Sequence, residues 1–185
     1  MPQVVTVNPS PPLVVDDDGY AGPIASMKCV ALDMVDQGYQ SVQAVEVTSA
    51  ISHAWIGDLT IKLVSPLGTV TTLVSRPGLD EPADDGSSAG AFGANANLVA
   101  ASPITFRDGA SHDAELMGST LGDDEAVCLD DGQCAFQPNP GTGPGTSLAD
   151  FDGEDPVGTW QLCAGDSATP DAGAIHSVTL SVLAL

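Results

Sequence analysis

Two short segments place a serine among small residues, as the nucleophile motifs of many hydrolases do. Residues 86–90 have the sequence GSSAG, which fits G-x-S-x-G, and residues 145–149 have the sequence GTSLA. A serine of this kind must sit on a sharp turn between a strand and a helix to be exposed for attack. Both segments lie in glycine-rich stretches that lack this context. We therefore expect neither serine to be a nucleophile.

The three histidines are the first candidates for a general base beside such a serine. His53 lies in a predicted strand, His112 in a predicted loop and His176 at the start of another predicted strand. No acid motif of a serine protease accompanies any of them. We expect each histidine to be hydrogen-bonded or exposed, and we predict that this chain has no hydrolytic activity of its own.

The four cysteines suggest disulfide bonds and an oxidising compartment. Cys128 and Cys134 enclose the short polar segment CLDDGQC, whereas Cys29 and Cys163 lie in alternating apolar runs. We predict the pairs Cys128–Cys134 and Cys29–Cys163, although two other connectivities and four free thiols are alternatives. Zinc is a weaker alternative because the spacing contains no CxxC element. If the pairs form, the protein is expected to be extracellular.

The charge balance excludes two classes of partner. Only 4 lysines and arginines face 25 aspartates and glutamates, which gives a formal net charge of −21. Such a surface repels nucleic acid and anionic membranes. Three explanations remain, and they are compatible with one another: a solvated acidic surface, carboxylates that hold Ca²⁺, or a basic protein partner.

The elements that must position these side chains are strands. The clearest pattern lies between Ser41 and Ser75, where apolar residues alternate along three runs separated by Gly57-Asp58 and by Pro66-Leu67-Gly68. Alternation with period two is typical of a strand with one buried face, and the proline and glycine residues favour turns. We interpret this stretch as a β-meander of three adjacent strands.

The rest of the chain predicts the same class of structure. No window shows helical periodicity, and 20 glycines and 14 prolines interrupt the sequence at short intervals. The sequence therefore predicts an all-β protein, a jelly-roll-like β-sandwich of about seven to nine mostly antiparallel strands. Residues 76–97 form a loop too long for a simple hairpin connection, and we expect it to be mobile or to carry a ligand.

The chain start is predicted to lie outside this sandwich. Residues 8–12, NPSPP, are typical of an extended linker, and the preceding residues contain no positively charged or apolar targeting segment. We assign residues 1–24 to a linker and N-terminal extension, and residues 25–185 to the β-sandwich domain. The sequence contains no run of eighteen apolar residues, so membrane insertion is not expected.

Two separated motifs carry a family resemblance. ISHAWIGDLTIKLVSPLGTVTTLVS, residues 51–75, resembles the strand, His, Gly-Asp-Leu, strand and Ser-Pro-x-Gly-Thr pattern of the P domain (P/Homo B domain). This domain follows the catalytic domain in proprotein convertases and in many bacterial subtilisin-like proteases. Residues 151–182 resemble the end of the family, and residues 104–110, ITFRDGA, are a weaker match. The matching residues of the second motif are Phe151, Gly153, Gly158, Thr159, Trp160, Leu162, Asp166, Asp171 and Gly173.

The resemblance implies a noncatalytic function. A P domain would pack against the subtilisin-like catalytic domain of its parent chain, support the folding or stability of that domain and help to engage protein substrates. The alternative is an adhesion, matrix or carbohydrate-binding module of a parent that is not a protease, since a sandwich fold does not determine function.

The resemblance also indicates where calcium could bind. Ca²⁺ takes six to eight oxygen ligands, which acids distant in sequence can supply from loops. Asp58, Asp108 and Asp166 lie at or beside the loops of the family motifs, and Asp152 and Asp155 flank another loop. We predict these five as candidate calcium ligands, against the alternative that they cap turns and face water.

Overall fold

The computed structural model describes residues 2–87 and 92–185, and these residues form two β-sheets. The strands are β1 (Gln3–Val7), β2 (Leu13–Val15), β3 (Lys28–Met34), β4 (Val42–His53), β5 (Leu59–Val64), β6 (Val70–Ser75), β7 (Ile104–Arg107), β8 (His112–Asp113), β9 (Ala135–Gln137), β10 (Gly158–Asp166) and β11 (Gly173–Ala184). The short 3₁₀ turns are η1 (Ile24–Ser26), η2 (Ile56–Asp58), η3 (Ala114–Leu116) and η4 (Leu148–Phe151). In the described part of the chain, no helix is long and apolar enough to cross a membrane.

The prediction of an all-β sandwich is confirmed. The larger sheet has the strand order β1-β11-β4-β7-β9-β8, with β2 also paired to β11, and the smaller sheet has the order β3-β10-β5-β6. Pairing is antiparallel except where β9 meets β7 and β8. The described residues form eleven strands rather than seven to nine, because short strands such as β2, β8 and β9 give almost no alternating pattern.

The β-meander prediction is wrong in one respect. β5 and β6 form the expected antiparallel hairpin, but β4 belongs to the larger sheet, where it pairs with β11 and β7. The chain crosses between the sheets at η2. Alternation identifies the buried face of each strand, and both sheets bury one face in the same core, so the pattern is identical whether consecutive strands pair or face each other.

The prediction that residues 1–24 form a linker and extension is wrong for β1 and β2. β1 pairs with Val178–Val182 of β11, and β2 pairs with Gly173–Ile175 of the same strand. The proline-rich residues 8–12 only connect these two strands. Tyr20 is also buried, and its backbone N–H donates to the carbonyl oxygen of Asp166 at 2.8 Å. The first twenty residues therefore complete an edge of the sandwich.

The core lies between the sheets and is anchored by Trp160. This side chain is fully buried, stacks edge-on against Phe151 with ring centroids 5.0 Å apart, and donates its indole N–H to the carbonyl oxygen of Pro156. Both predicted disulfide pairs are confirmed. Cys29–Cys163 joins β3 to β10 across directly paired positions and closes a loop of 134 residues. In the chain-entropy model a crosslink of this span contributes about 5 kcal/mol to stability.

The described parts of the loop 76–97 are held against the sandwich by buried cations. Arg76 is fully buried, and its guanidinium lies 3.4 Å from the Glu81 carboxylate. Lys62, in β5, reaches the Asp84 carboxylate at 2.6 Å. Two of the four basic residues of the protein thus point inward and bind acids of this loop. This arrangement differs from the mobile loop that the composition suggested, because buried charges require fixed partners.

Candidate functional site

The structure divides the five predicted calcium ligands among three places: Asp58 with Asp166, Asp108 with Asp152, and Asp155 alone. In the described part of the chain, no group of three or more histidine, cysteine, aspartate or glutamate side chains is arranged to hold a metal ion. Asp155 accepts a hydrogen bond from the backbone N–H of Val157 and caps a turn. Asp152 lies in a separate surface groove, which is described below. Calcium binding through these residues stays a prediction.

Asp108 and Ser147 are joined by a hydrogen bond at the start of η4. Ser147 precedes η4 and donates its hydroxyl to Asp108 at 3.0 Å, while the backbone N–H groups of Leu148 and Ala149 donate to the same carboxylate. Ser147 also accepts from the backbone N–H of Ala149 and forms a capping box with Asp150. The serine of GTSLA is therefore a helix cap. The serine of GSSAG, Ser88, lies outside the described residues.

Asp58 and Asp166 come together at one end of the sandwich with His53. His53 and Asp166 are both fully buried side chains, and the imidazole Nε2 lies 2.8 Å from an Asp166 oxygen. The backbone N–H of Trp55 donates to His53 Nδ1, so the proton of a neutral ring belongs on Nε2, which donates to Asp166. The histidine is thus an internal hydrogen-bonding residue, as predicted.

The Asp58 carboxyl is buried, and one of its oxygens accepts no hydrogen bond. Its residue is only 4% exposed, and Oδ1 has no hydrogen-bond partner. Burial, together with the negative charge of Asp166, raises the pKa of Asp58 to about 6, although Arg76 acts in the opposite direction. The Arg76 guanidinium is the nearest cation, with Nη2 3.8 Å from Asp58 Oδ1, and Nη2 also lacks a hydrogen-bond partner. The carboxylate is therefore only partly neutralised.

A pocket of about 190 Å³ opens beside Asp58, and we call it the Trp55 pocket. Trp55 and Phe92 form an aromatic wall, with ring centroids 6.5 Å apart in an edge-on arrangement. The buried indole N–H of Trp55 has no hydrogen-bond partner. Asp171 supplies a second carboxylate to the lining. The remaining lining residues are Ala168, Thr169 and Pro170.

Sequence analysis found part of this pocket and missed the rest. Of the lining residues, only Asp58 is a predicted ligand, since Asp166 does not line the pocket and Trp55 has no predicted role. The signal was available, because Trp55 is one of two tryptophans in the chain and stands three residues before Asp58. A partly exposed tryptophan next to a buried acid marks a surface that differs from the core.

A second, larger groove of about 360 Å³ runs along β4, β11 and η4. Arg107, Asp108 and Asp152 line it together with Glu46 of β4. The Asp108 carboxylate is already occupied by the cap of η4. The groove therefore contains two predicted calcium ligands, Asp108 and Asp152. Of these, only Asp152 has a carboxylate that does not cap η4.

One serine–histidine pair occurs on the outer face of the larger sheet. Ser52 Oγ lies 2.9 Å from His176 Nε2, across the pairing of β4 with β11. A catalytic pair also needs a third group that orients the histidine. Among the described residues, none forms a hydrogen bond with His176 Nδ1, and neither residue lines a pocket described above. We interpret the pair as a cross-strand contact.

Comparison with known proteins gives a family match over part of the chain. Residues 42–99 match the family model of the proprotein convertase P-domain. The predicted resemblance to the P domain is confirmed. The matched region runs from β4 through the β5–β6 hairpin to residue 99, and it includes His53, Trp55 and Asp58. The P domain is an accessory domain of proteases, and its family is associated with subtilisin-like protease domains.

Two solved structures share the fold of this chain. The serine protease of Aeromonas sobria aligns with a TM-score of 0.52 at 18% identity, and its complex with the chaperone ORF2 aligns with a TM-score of 0.51 at 20% identity. Both alignments cover 100% of this chain and 26% of the other chain, so the domain spans about a quarter of the length of these structures. No curated protein matches the sequence.

Proposed function

We propose that this P domain is a noncatalytic accessory module of a secreted subtilisin-like serine endopeptidase. It supports the folding or stability of the protease domain and helps to engage substrate. The observation that carries the proposal is the match of residues 42–99 to the P-domain family. The second motif supports it, because β10 pairs with β5 and so brings residues 158–166 into the same sheet as the β5–β6 hairpin.

The side-chain contacts support a noncatalytic role. Ser147 caps η4, Ser52 pairs with a histidine that has no orienting acid among the described residues, and His53 is sealed in the core. A serine hydrolase needs a nucleophile, a base and an orienting group within reach of one substrate position. Ser147 lies at η4, whereas Ser52 and His53 are consecutive residues that alternate between the two faces of β4.

The disulfides support the proposed extracellular location. All four cysteines are paired, and disulfides persist mainly in oxidising compartments. The acidic surface fits a protein that must remain soluble outside the cell.

The first experiment tests the noncatalytic role on the isolated chain. Residues 1–185 are incubated with casein and with fluorogenic peptides, alongside the variants Ser147→Ala and Ser52→Ala. We expect no turnover above a buffer control. Turnover that either variant abolishes would contradict the proposal.

The second experiment tests the role in the parent protein. The full-length protein is secreted with and without these residues, and the yield, melting temperature and activity of the protease domain are compared. We expect lower yield and a lower melting temperature without the P domain. A parent without a subtilisin-like domain, or a protease domain unaffected by the deletion, would instead favour an adhesion, matrix or carbohydrate-binding module.

A further inference from the structure

We propose that the Trp55 pocket is a docking site for a basic side chain, preferably arginine, on another protein. The inference does not rest on the proposed protease function, since it uses only groups that line the pocket. Its basis is the Asp58 carboxyl, which lines the pocket and is only 4% exposed, while its Oδ1 has no hydrogen-bond partner and only the Arg76 guanidinium at 3.8 Å. Buried polar groups in native proteins are nearly always hydrogen-bonded, so a carboxyl in this state beside an open pocket points to a further cationic partner.

The charge of the pocket selects a cation. Asp58 and Asp171 both line it, and Asp166 lies behind Asp58. Partial desolvation and the negative charges of Asp166, Asp18 and Asp171 also raise the pKa of Asp17, which places this residue in the same acidic region. The Arg76 guanidinium, which lies 3.8 Å from the Asp58 carboxyl, is shared with Glu81.

The aromatic wall favours an organic cation over a metal ion. A guanidinium can stack on the face of a tryptophan while it donates to carboxylates, and such cation–π contacts gain strength when water is excluded. No group of three metal-binding side chains is present in residues 2–87 and 92–185.

The size of the pocket favours a single side chain. Its volume of about 190 Å³ is smaller than the 300–1,000 Å³ that is typical for drug-sized ligands. One long side chain of a protein can occupy it, with the rest of the partner on the surrounding surface. Phe92 is 76% exposed at the rim and can contact the backbone of that partner.

The indole N–H signals of the two tryptophans provide a direct test. Trp160 is fully buried and already donates to Pro156, so its signal serves as an internal control. The ¹⁵N-labelled chain is titrated with acetyl-Gly-Arg-Gly-amide and with the same peptide carrying citrulline, the neutral analogue of arginine. We expect the arginine peptide to shift the Trp55 signal in a saturable way, the citrulline peptide to bind far more weakly, and Trp160 to remain unchanged.

Charge-matched variants identify the site. Asp58→Asn should weaken binding of the arginine peptide by about tenfold or more, since it removes a desolvated ionic partner. Asp171→Asn, at the less buried side of the pocket, should weaken binding by a smaller factor. Asp123→Asn removes the same charge from an exposed loop and should leave the affinity unchanged. If Asp58→Asn does not fold, Asp171→Asn and Phe92→Ala provide the same comparison.

Three results would overturn the proposal. The first is equal binding of the arginine and citrulline peptides, which would remove the role of charge. The second is an equal loss of affinity in Asp123→Asn and Asp171→Asn, which would indicate general attraction to an acidic surface. The third is a saturable shift of Trp55 with CaCl₂ alone but with neither peptide, which would make the pocket a metal site.

Discussion

The ammonium group of Lys62 lies 2.6 Å from a carboxylate oxygen of Asp84, although the lysine side chain is only 2% exposed. The same ammonium donates to the carbonyl oxygen of Gly22 at 2.9 Å and lies over the ring of Tyr20. Tyr20 in turn donates its hydroxyl to Asp84. One buried cation therefore connects β5, the N-terminal segment and the loop that follows β6.

Removing one partner of this pair should destabilise the fold. Asp84→Asn leaves the Lys62 charge buried without a counterion, and breaking a buried pair in this way typically costs about 3–5 kcal/mol. Asp16→Asn is the matched control, because the Lys28–Asp16 pair has nearly the same distance, 2.8 Å, but is well exposed. Its removal should change the free energy of unfolding by less than about 1 kcal/mol. Urea unfolding measures both, and equal effects would contradict the assignment.

Gly57 should not tolerate a side chain. A Cβ at this position would lie 2.5 Å from the Cα of Gly93, where the returning loop packs directly on η2. Gly57→Ala must separate these two backbones, and we expect it to lower the free energy of unfolding by about 1–3 kcal/mol, as overpacking does. Gly141→Ala is the control, since nothing lies within 4 Å of its added methyl group. Equal melting temperatures for the two variants would show that the backbones of Gly57 and Gly93 can separate without loss of stability.

Glu115 should make stability depend on pH. Burial, together with the nearby negative charges of Glu81 and Asp113, raises the pKa of its carboxyl to about 8, although the Ser75 backbone N–H that donates to it at 2.7 Å has the opposite effect. The folded state therefore holds a proton that the unfolded state releases above its ordinary pKa of 4.5. The free energy of unfolding should fall as pH rises between these two values, by up to about 1.4 kcal/mol per pH unit.

Glu115→Gln tests this dependence. The neutral amide cannot titrate, so the variant should lose the decrease in stability between pH 5 and 8. Glu46→Gln, in the groove along β4, β11 and η4, removes the same charge and should retain the decrease in stability with pH. Parallel pH profiles for wild type and Glu115→Gln, measured by urea unfolding, would show that another group is responsible.

Calcium binding makes a separate prediction. A bound ion would stabilise the folded state by mass action, so EDTA should lower the melting temperature and added Ca²⁺ should restore it. Because the candidate acids lie apart, Asp58→Asn and Asp152→Asn should differ, and only the variant at the true site should abolish the response. An unchanged melting temperature across millimolar Ca²⁺ would exclude calcium.

The sequence predicted the strands with long alternating patterns and failed where the pattern is short. The apolar positions of β5 and β10, including Trp160, face the core as expected. β1 and β2 were missed because their few residues flank a proline-rich connection, and their stability comes from pairing with β11. Local sequence contains no information about that partner, since pairing depends on residues more than 150 positions away.

The candidate site was predicted only in part for the same reason. Asp58 and Asp166 meet because Asp166 pairs with Leu59 in the register of β10 with β5. That register places Asp166, in the second family motif, beside Leu59, in the first. Asp108 and Asp155 instead satisfy backbone N–H groups of nearby turns. An aspartate in a loop has the same local sequence signature in both roles, and only the fold separates them.

The pairing of Gln3 with Val182 also determines how the domain responds to mechanical force. Tension applied to the two ends of the chain would peel β1 from β11 one hydrogen bond at a time, which offers little resistance. The Cys29–Cys163 crosslink then transmits the load directly between β3 and β10. The 134-residue loop that it closes, which contains β4 through β9, would be shielded from extension as long as the crosslink remains oxidised.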